Sequence, residues 1–297
     1  MKFVSFINQK IMSKQIQISS QFDYKIEFSD PPKIKYASLY EFFSLKIWGS
    51  LPSQFQRLIS KIYAKVFNLR ISKHLIKPYC KIHYKEVNYL DQFTPPSGKT
   101  EYHTFQDFFV RQFKELPKVH TSHVWPCEGV LCDIDHVSKI QKTNVKGDIR
   151  SVHQIFGIDE RLICKDYVFT NVFLHNKNYH RIHAPIDGTI TRVQYIKGDL
   201  VILRPWFYKN NPSIPAFRNE RINIDIKDNR DRTWHLSIVG GPAVGTIELP
   251  KKIILGAKVS ILDEIALFYL GSTCCMISPE MPKQNIKNSL VYMGAEY

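Results

Sequence analysis

The chain has 297 residues, enough for one large domain or two modest ones with a sizeable core. With 44% apolar and 23% charged residues the composition is globular, which excludes a disordered, collagenous or coiled-coil chain. Lysine and arginine total 41 against 27 acidic residues, and the net charge of +14 points to an anionic partner: nucleic acid, a phospholipid surface or an acidic ligand.

Before Asp23 the chain carries Lys2, Lys10 and Lys14 and no acid, without an arginine or a small-residue cleavage signature. Residues 1–35 read as a flexible terminal segment. From Arg57 to Lys85 every charged residue is basic. Leu58, Ile62, Val66 and Leu69 recur at helical spacing, and Arg57, Lys61 and Lys65 stand four apart on a neighbouring face. The pattern predicts two helices, broken or kinked at Pro78, each with an apolar and a basic face. Such helices suit an anionic membrane surface, with Trp48 and Phe55 as interfacial anchors; they equally suit helices packed on a core with a solvated basic side. We take 36–116 as a helical, membrane-proximal region. Within it, 94–100 (TPPSGKT) reads as a loop, and its GKT lacks the upstream glycine of a phosphate-binding loop. The block 105–113 (FQDFFVRQF) predicts a short apolar helix.

After Pro117 short β-branched runs alternate with turns, at 130–134, 137–140, 168–174, 188–195, 200–203, 221–226, 233–239, 244–249 and 265–270. No long helical pattern intervenes, so 117–297 reads as a mainly antiparallel β domain. The fold class is α+β, with N-terminal helices packed on that domain. The longest uncharged run, 265–279, is too short to span a membrane. The six cysteines form no CxxC pair, so reduced thiols are expected rather than a zinc knuckle or a disulfide scaffold. No helix-turn-helix, zinc-finger or RNA-binding signature appears, and nucleic acid is not expected as a partner.

Two segments carry candidate chemistry. His180 and His183 flank Arg181 in YHRIHAPIDG (179–188), where surface histidines or a metal pair are open readings; a metal site would need further ligands, and none is expected. Gly271-Ser272 ends a β-like run in LGSTCC (270–275). Gly-Ser is usually a turn, yet a serine hydroxyl beside a base can attack the unhindered carbonyl before it.

In order along the chain, Pro126-Cys127-Glu128-Gly129, Val145-Lys146-Gly147 leading to Ser151-Val152, YHRIHAP (179–185), Asn219-Glu220-Arg221, VGGPAVGTI (239–247) and LGST (270–273) resemble the phosphatidylserine decarboxylases. The helical stretch from Leu51 and the FQDFFVR block (105–111) fit the same family, so the resemblance covers roughly residues 45–295. It implies a proenzyme that cuts itself between Gly271 and Ser272. The Ser272 hydroxyl attacks the Gly271 carbonyl and forms an ester. Elimination and hydrolysis then leave a pyruvoyl group at position 272, and the β chain (1–271) stays with the α chain (272–297). His183 and Ser272 match two members of the family's Asp-His-Ser set, and Glu128 stands where the family has aspartate. A glutamate can still orient His183, but its extra methylene displaces the carboxylate by about an ångström, which in a positioned site can cost on the order of 10²-fold. By the same resemblance His180 returns the proton to the substrate α-carbon. Residues 262–266 (LDEIA) also depart from the family, which has glycines around the acidic pair.

The implied reaction converts phosphatidylserine to phosphatidylethanolamine and CO2, with the covalent pyruvoyl group as cofactor and electron sink. The implied partners are phosphatidylserine, an anionic membrane surface and the protein's own two chains, with a homo-oligomer left open. The implied place is peripheral on a bacterial or mitochondrial inner membrane. Two competing readings stand beside it: a decarboxylase of the same architecture acting on a free aromatic amino acid, and a processing-deficient, catalytically silent lipid-binding homologue, suggested by Glu128. Asn219-Glu220-Arg221 read as strand ties, and Cys274 and Cys275 as buried strand residues.

Overall fold

In a computed structural model of the protein, residues 37–84, 87–208, 211–241, 247–269 and 272–297 are described. The expected terminal segment 1–35 lies outside them, as does Gly271 of the expected cleavage site.

The N-terminal helices are α1 (Ala37–Phe42), α2 (Ser53–Phe67) and α3 (Ile76–His83), with 3-10 turns between them. Pro78 sits inside the first turn of α3 rather than breaking it, because the amide it lacks would have had no intrahelical partner there. In α2 the fully buried residues are polar, while Ala64 and Phe67 pack partly buried against the cluster around Phe105. Gln56 and Ser60 are buried, and the Gln56 side chain donates to the Trp48 carbonyl (2.6 Å) and accepts from the Leu200 amide (3.0 Å). Arg57 reaches Glu220 at 2.7 Å. The apolar stripe faces outward instead, with Leu58 at 56% and Ile62 at 57% exposure. Trp48 is half-buried and donates to the Leu200 carbonyl (2.7 Å), which ties it to the β domain, whereas Phe55 is exposed.

Helix α4 (Phe105–Phe109) opens on a capping box, with Thr104 accepting from the Asp107 amide and the Asp107 carboxylate accepting from the Thr104 amide. It is shorter than the 105–113 pattern suggested. The chain turns at Val110 into β2 (Gln112–Phe113), which pairs with β1 (Phe93–Thr94). The β domain then runs through β3 (Gly129–His136), β4 (Thr143–Val145), β5 (Asp148–Arg150), α5 (His153–Phe156), β6 (Val168–Leu174), β7 (Arg181–His183), β8 (Gly188–Ile196), α6 (Ile214–Arg218), β9 (Arg221–Lys227), β10 (Thr233–Gly240), β11 (Ile247–Glu248), β12 (Lys258–Val259), β13 (Glu264–Phe268), β14 (Ser272–Ser278) and β15 (Leu290–Val291).

Among the described residues, eight of these strands form an antiparallel sheet in the order β12-β8-β9-β10-β14-β6-β3-β15, and β11-β13-β7 form a second, smaller sheet. The fold is α+β, as expected. Two runs expected as strands are not strands. Residues 137–139 form a 3-10 turn that aims Val137 at one core cluster, and 200–203 is an irregular segment held by side chains, with Asn219 bridging Val201 and Ser44 binding the Ile202 amide.

Two apolar cores sandwich the large sheet. One holds Leu174, Ile182, Ile265, Phe268, Cys274 and Met276; the other holds Phe156, Phe169, Phe173, Phe217, Cys275 and Ile277. Successive residues of a strand face opposite sides, so the even positions of β14, starting at Ser272, face the first core. No described helix is long and apolar enough to cross a membrane.

Candidate active site

The antiparallel order brings four strand ends together. Ser272, the first residue of β14, lies between Gly240 at the end of β10 and Leu174 at the end of β6. Beyond Leu174 comes Gly129 at the start of β3, whose Cα approaches the Phe173 carbonyl so closely that a Cβ would fall 2.4 Å from it. Glu128 therefore enters the site immediately before a residue that only glycine satisfies. The loop after β6 carries Asn178 and Tyr179, then His180 and β7 with His183. The His183 amide donates to the Pro126 carbonyl (2.9 Å), and the Phe268 amide to the His180 carbonyl (2.9 Å). The motifs around 128, 180, 183 and 272 thus converge at one end of the fold.

Ser272 is fully buried, and among the described residues its Oγ has no hydrogen-bond partner. His180 is equally buried. Its Nδ1 lies 2.8 Å from the Asn178 carbonyl, which can only accept, so Nδ1 carries the proton and Nε2 is the basic nitrogen. That Nε2 also lacks a partner among the described residues. Burial pushes the His180 pKa down to about 3, so the ring is neutral. The Phe109 ring packs on it at 3.9 Å between centroids.

His183 is also neutral and buried, its pKa lowered by desolvation. Its Nδ1 donates to the Leu262 carbonyl (2.6 Å), and its Nε2 accepts from the Tyr179 hydroxyl (3.0 Å). Both ring nitrogens are thus engaged, and neither partner is Glu128. The Glu128 carboxylate instead accepts from Asn178 Nδ2 (2.6 Å) and from the Tyr89 hydroxyl (3.1 Å). The expected direct contact between Glu128 and His183 is absent; the carboxylate stands on the His180 side, through Asn178. Leu262, at φ 68, sits in the left-handed region and presents its carbonyl to His183. Glu264 of that segment forms a two-pronged ion pair with Arg181 (2.6 and 2.8 Å), which also binds the Val110 carbonyl (2.7 Å).

The residue that composition and motif reading did not single out is Arg111. It is completely buried and donates to the carbonyls of Lys177 (2.9 Å) and Asn178 (3.0 Å) and to the Tyr89 hydroxyl (3.2 Å). Its cation sits over the Phe93 ring at 4.7 Å. Burial opposes its charge, but Tyr84, Tyr89 and Glu128 around it more than offset that, and its pKa is raised. Arg111 closes the FQDFFVR block, so a signal for it existed; Asn178 had none. Asn219 ties the irregular segment at Val201 to the Gly240 carbonyl of β10 (2.9 Å), a structural role, though not between two strands as expected.

A family profile for phosphatidylserine decarboxylase matches residues 105–296, and the chain belongs to that family. The phosphatidylserine decarboxylase proenzyme of Vibrio parahaemolyticus is 32% identical over 158 residues, covering 51% of this chain and 55% of its own length. The proenzyme of Mannheimia succiniciproducens is 26% identical over 215 residues, 70% of this chain and 64% of its own. That of Methylobacillus flagellatus is 26% identical over 246 residues, 75% and 85%. The chain thus spans between half and two thirds of the length of the first two relatives.

Proposed function

We propose that the protein is a self-cleaving, pyruvoyl-dependent phosphatidylserine decarboxylase that forms phosphatidylethanolamine at an anionic membrane surface. The observation that carries this reading is the pair of buried atoms Ser272 Oγ and His180 Nε2, without a partner among the described residues and within the span that matches the family. Unsatisfied buried polar atoms are costly and concentrate where chemistry needs them. A pyruvoyl group suits position 272: elimination removes the Ser272 hydroxyl, which holds no hydrogen bond with a described residue, and the ketone forms at Cα when water displaces the amine as ammonia.

In this reading Ser272 Oγ loses its proton to the His183 side and attacks the Gly271 carbonyl, and the peptide bond becomes an ester. Elimination releases Gly271 as a new carboxylate, and hydrolysis of the residual dehydroalanine releases ammonia. For His183 to take the proton, its Nε2 must exchange Tyr179 for Ser272, or receive the proton through the Tyr179 hydroxyl. When formed, the pyruvoyl carbonyl supplies the electron sink that lets a carboxylate leave. His180, whose open Nε2 can take up a proton and then hand it on, is the group that returns it to the substrate α-carbon. The outward apolar stripe of α2 beside Lys61 and Lys65 supports docking on anionic lipid, peripherally, on a bacterial or mitochondrial inner membrane.

The test is release of CO2 from carboxyl-labelled phosphatidylserine in mixed micelles, beside free serine and free aromatic amino acids. Turnover of the lipid alone supports the reading, and turnover of a free amino acid alone overturns its substrate. A second reading, a silent lipid-binding homologue, draws on the missing Glu128–His183 contact; it requires an uncut chain that still binds anionic vesicles.

A further inference from the structure

A second feature lies on the other face of the large sheet. Arg221, at the start of β9, pairs with Val239, whose side chain belongs to the core opposite the one that Ser272 faces. Arg221 is 5% exposed and donates to three main-chain carbonyls, those of Ile155 (2.5 Å), Gln154 (3.1 Å) and Asn219 (2.9 Å). Among the described residues no carboxylate pairs with it. Burial lowers its pKa to about 10, and the charge of Arg150 adds to the strain.

Arg221 lines a recess of about 230 Å³ together with Lys146, Arg150, Lys197, Arg218 and a single acid, Asp199. Asp199 is already shared, lying 2.7 Å from Arg218 and 2.8 Å from Lys146. Among the described residues Arg150 has the exposed Asp148, at 3.6 Å, and the Phe217 carbonyl as partners. Five cations around one carboxylate leave a recess with unspent positive charge. The recess opens into a cleft of about 700 Å³ walled by Leu45, Lys46 and Leu51 of the N-terminal region. Its floor comes from the β4–β5 hairpin, whose two-residue turn is Lys146-Gly147, both at positive φ (55 and 96). That turn favours Asn-Gly, and a lysine at its first position accepts backbone strain to hold an ammonium over the recess.

We propose that this recess is a binding site for a phosphate group, distinct from the site at Ser272, in which Arg150 and Lys146 bind the anion at the rim and Arg221 supplies charge from behind. The phosphate is either that of a phospholipid headgroup entering along the Leu45–Leu51 wall or free phosphate; the recess chemistry is common to both. This inference does not rest on the decarboxylase reading, because the site can be tested without turnover.

The experiment is calorimetric titration of the full chain with inorganic phosphate, and separately with a dihexanoyl phosphatidylglycerol below its micelle concentration. We expect saturable binding of one equivalent of at least one probe. The double variant Lys146→Asn, Arg150→Gln should weaken it about tenfold or more, as expected for loss of charge-assisted contacts. Asparagine suits the left-handed turn position, so the single variant Lys146→Asn keeps the hairpin and serves alone, with a weakening of about threefold, if the double variant does not fold. Tighter binding of the lipid than of inorganic phosphate assigns the site to a headgroup, and equal or weaker binding assigns it to free phosphate. Absence of saturable binding with both probes, or binding unchanged in the folded variants, overturns the proposal.

Discussion

At the scale of single residues, the site separates two roles that the motif YHRIHAP alone could not. His183 is locked between Leu262 and Tyr179, while His180 keeps a bare Nε2. In the proposed chemistry Ser272→Ala leaves one intact, inactive chain. His183→Ala blocks or strongly slows cutting, and His180→Ala still cuts but decarboxylates poorly, by about 10² or more. Gel mobility and labelled-CO2 release read the two steps apart; if His180→Ala lost cutting and His183→Ala did not, the roles would be exchanged. The buried histidines also set a pH dependence. Above pH 6.5 His180 is neutral in both folded and unfolded chains. Between 6.5 and its folded value of about 3, the unfolded chain takes up a proton that the folded chain refuses. Stability present above pH 6.5 is therefore lost as pH falls, by up to about 1.4 kcal/mol per pH unit from this one group. Urea midpoints at about pH 7 and about pH 5 should show that loss, and His180→Asn should flatten it. These residues were legible as motif members. What the sequence could not convey was their pairing: Glu128 approaches Asn178 rather than His183, because that depends on how the loop after β6 folds back over β3.

At the scale of elements, strands buried on both faces were the most legible. Residues 168–174 were expected as a strand and form β6 with those bounds, because every one of its side chains is buried. Runs of similar composition at 137–140 and 200–203 were misread, since apolar residues there serve a turn and an irregular segment held by Ser44 and Asn219. β7 was not expected as a strand because its three residues, Arg181–His183, show no β pattern; its place is set by pairing with β13 and by Arg181 bridging to Glu264. The element most exposed to a single change is the loop before β7, held by Arg111. Arg111→Ala removes one of two donors at the Lys177 and Asn178 carbonyls, where Tyr84 and His180 also donate, and takes a buried cation from beside Glu128. It should destabilise the fold by about 3–5 kcal/mol, read as a lowered melting temperature, and slow cutting through displacement of His180. Unchanged melting would show that the loop holds without its arginine.

At the scale of the whole molecule, α2 is packed through Gln56 and Ser60 and turns its apolar stripe outward, the reverse of a helix that serves a soluble core. The apolar and basic residues were legible as a pattern, but which side packs was not, since that is decided by contacts with Leu200 and Glu220 far along the chain. Leu58→Glu with Ile62→Glu should weaken sedimentation with anionic vesicles at least tenfold while leaving melting nearly unchanged, each lost apolar contact being worth about 1.5–3 kcal/mol; unaltered sedimentation would remove α2 from the membrane account. The position of β14 between β10 and β6 makes a further demand: a chain cut at its start remains assembled until denatured, because the small fragment holds a central strand. The most direct measurement is therefore the mass of the purified chain under denaturing conditions. Cutting between Gly271 and Ser272 predicts a fragment of residues 272–297, about 3 kDa of the 34.7 kDa total, with a blocked N-terminus. A single 34.7 kDa species that persists on incubation would contradict self-cleavage and leave the silent lipid-binding reading in its place.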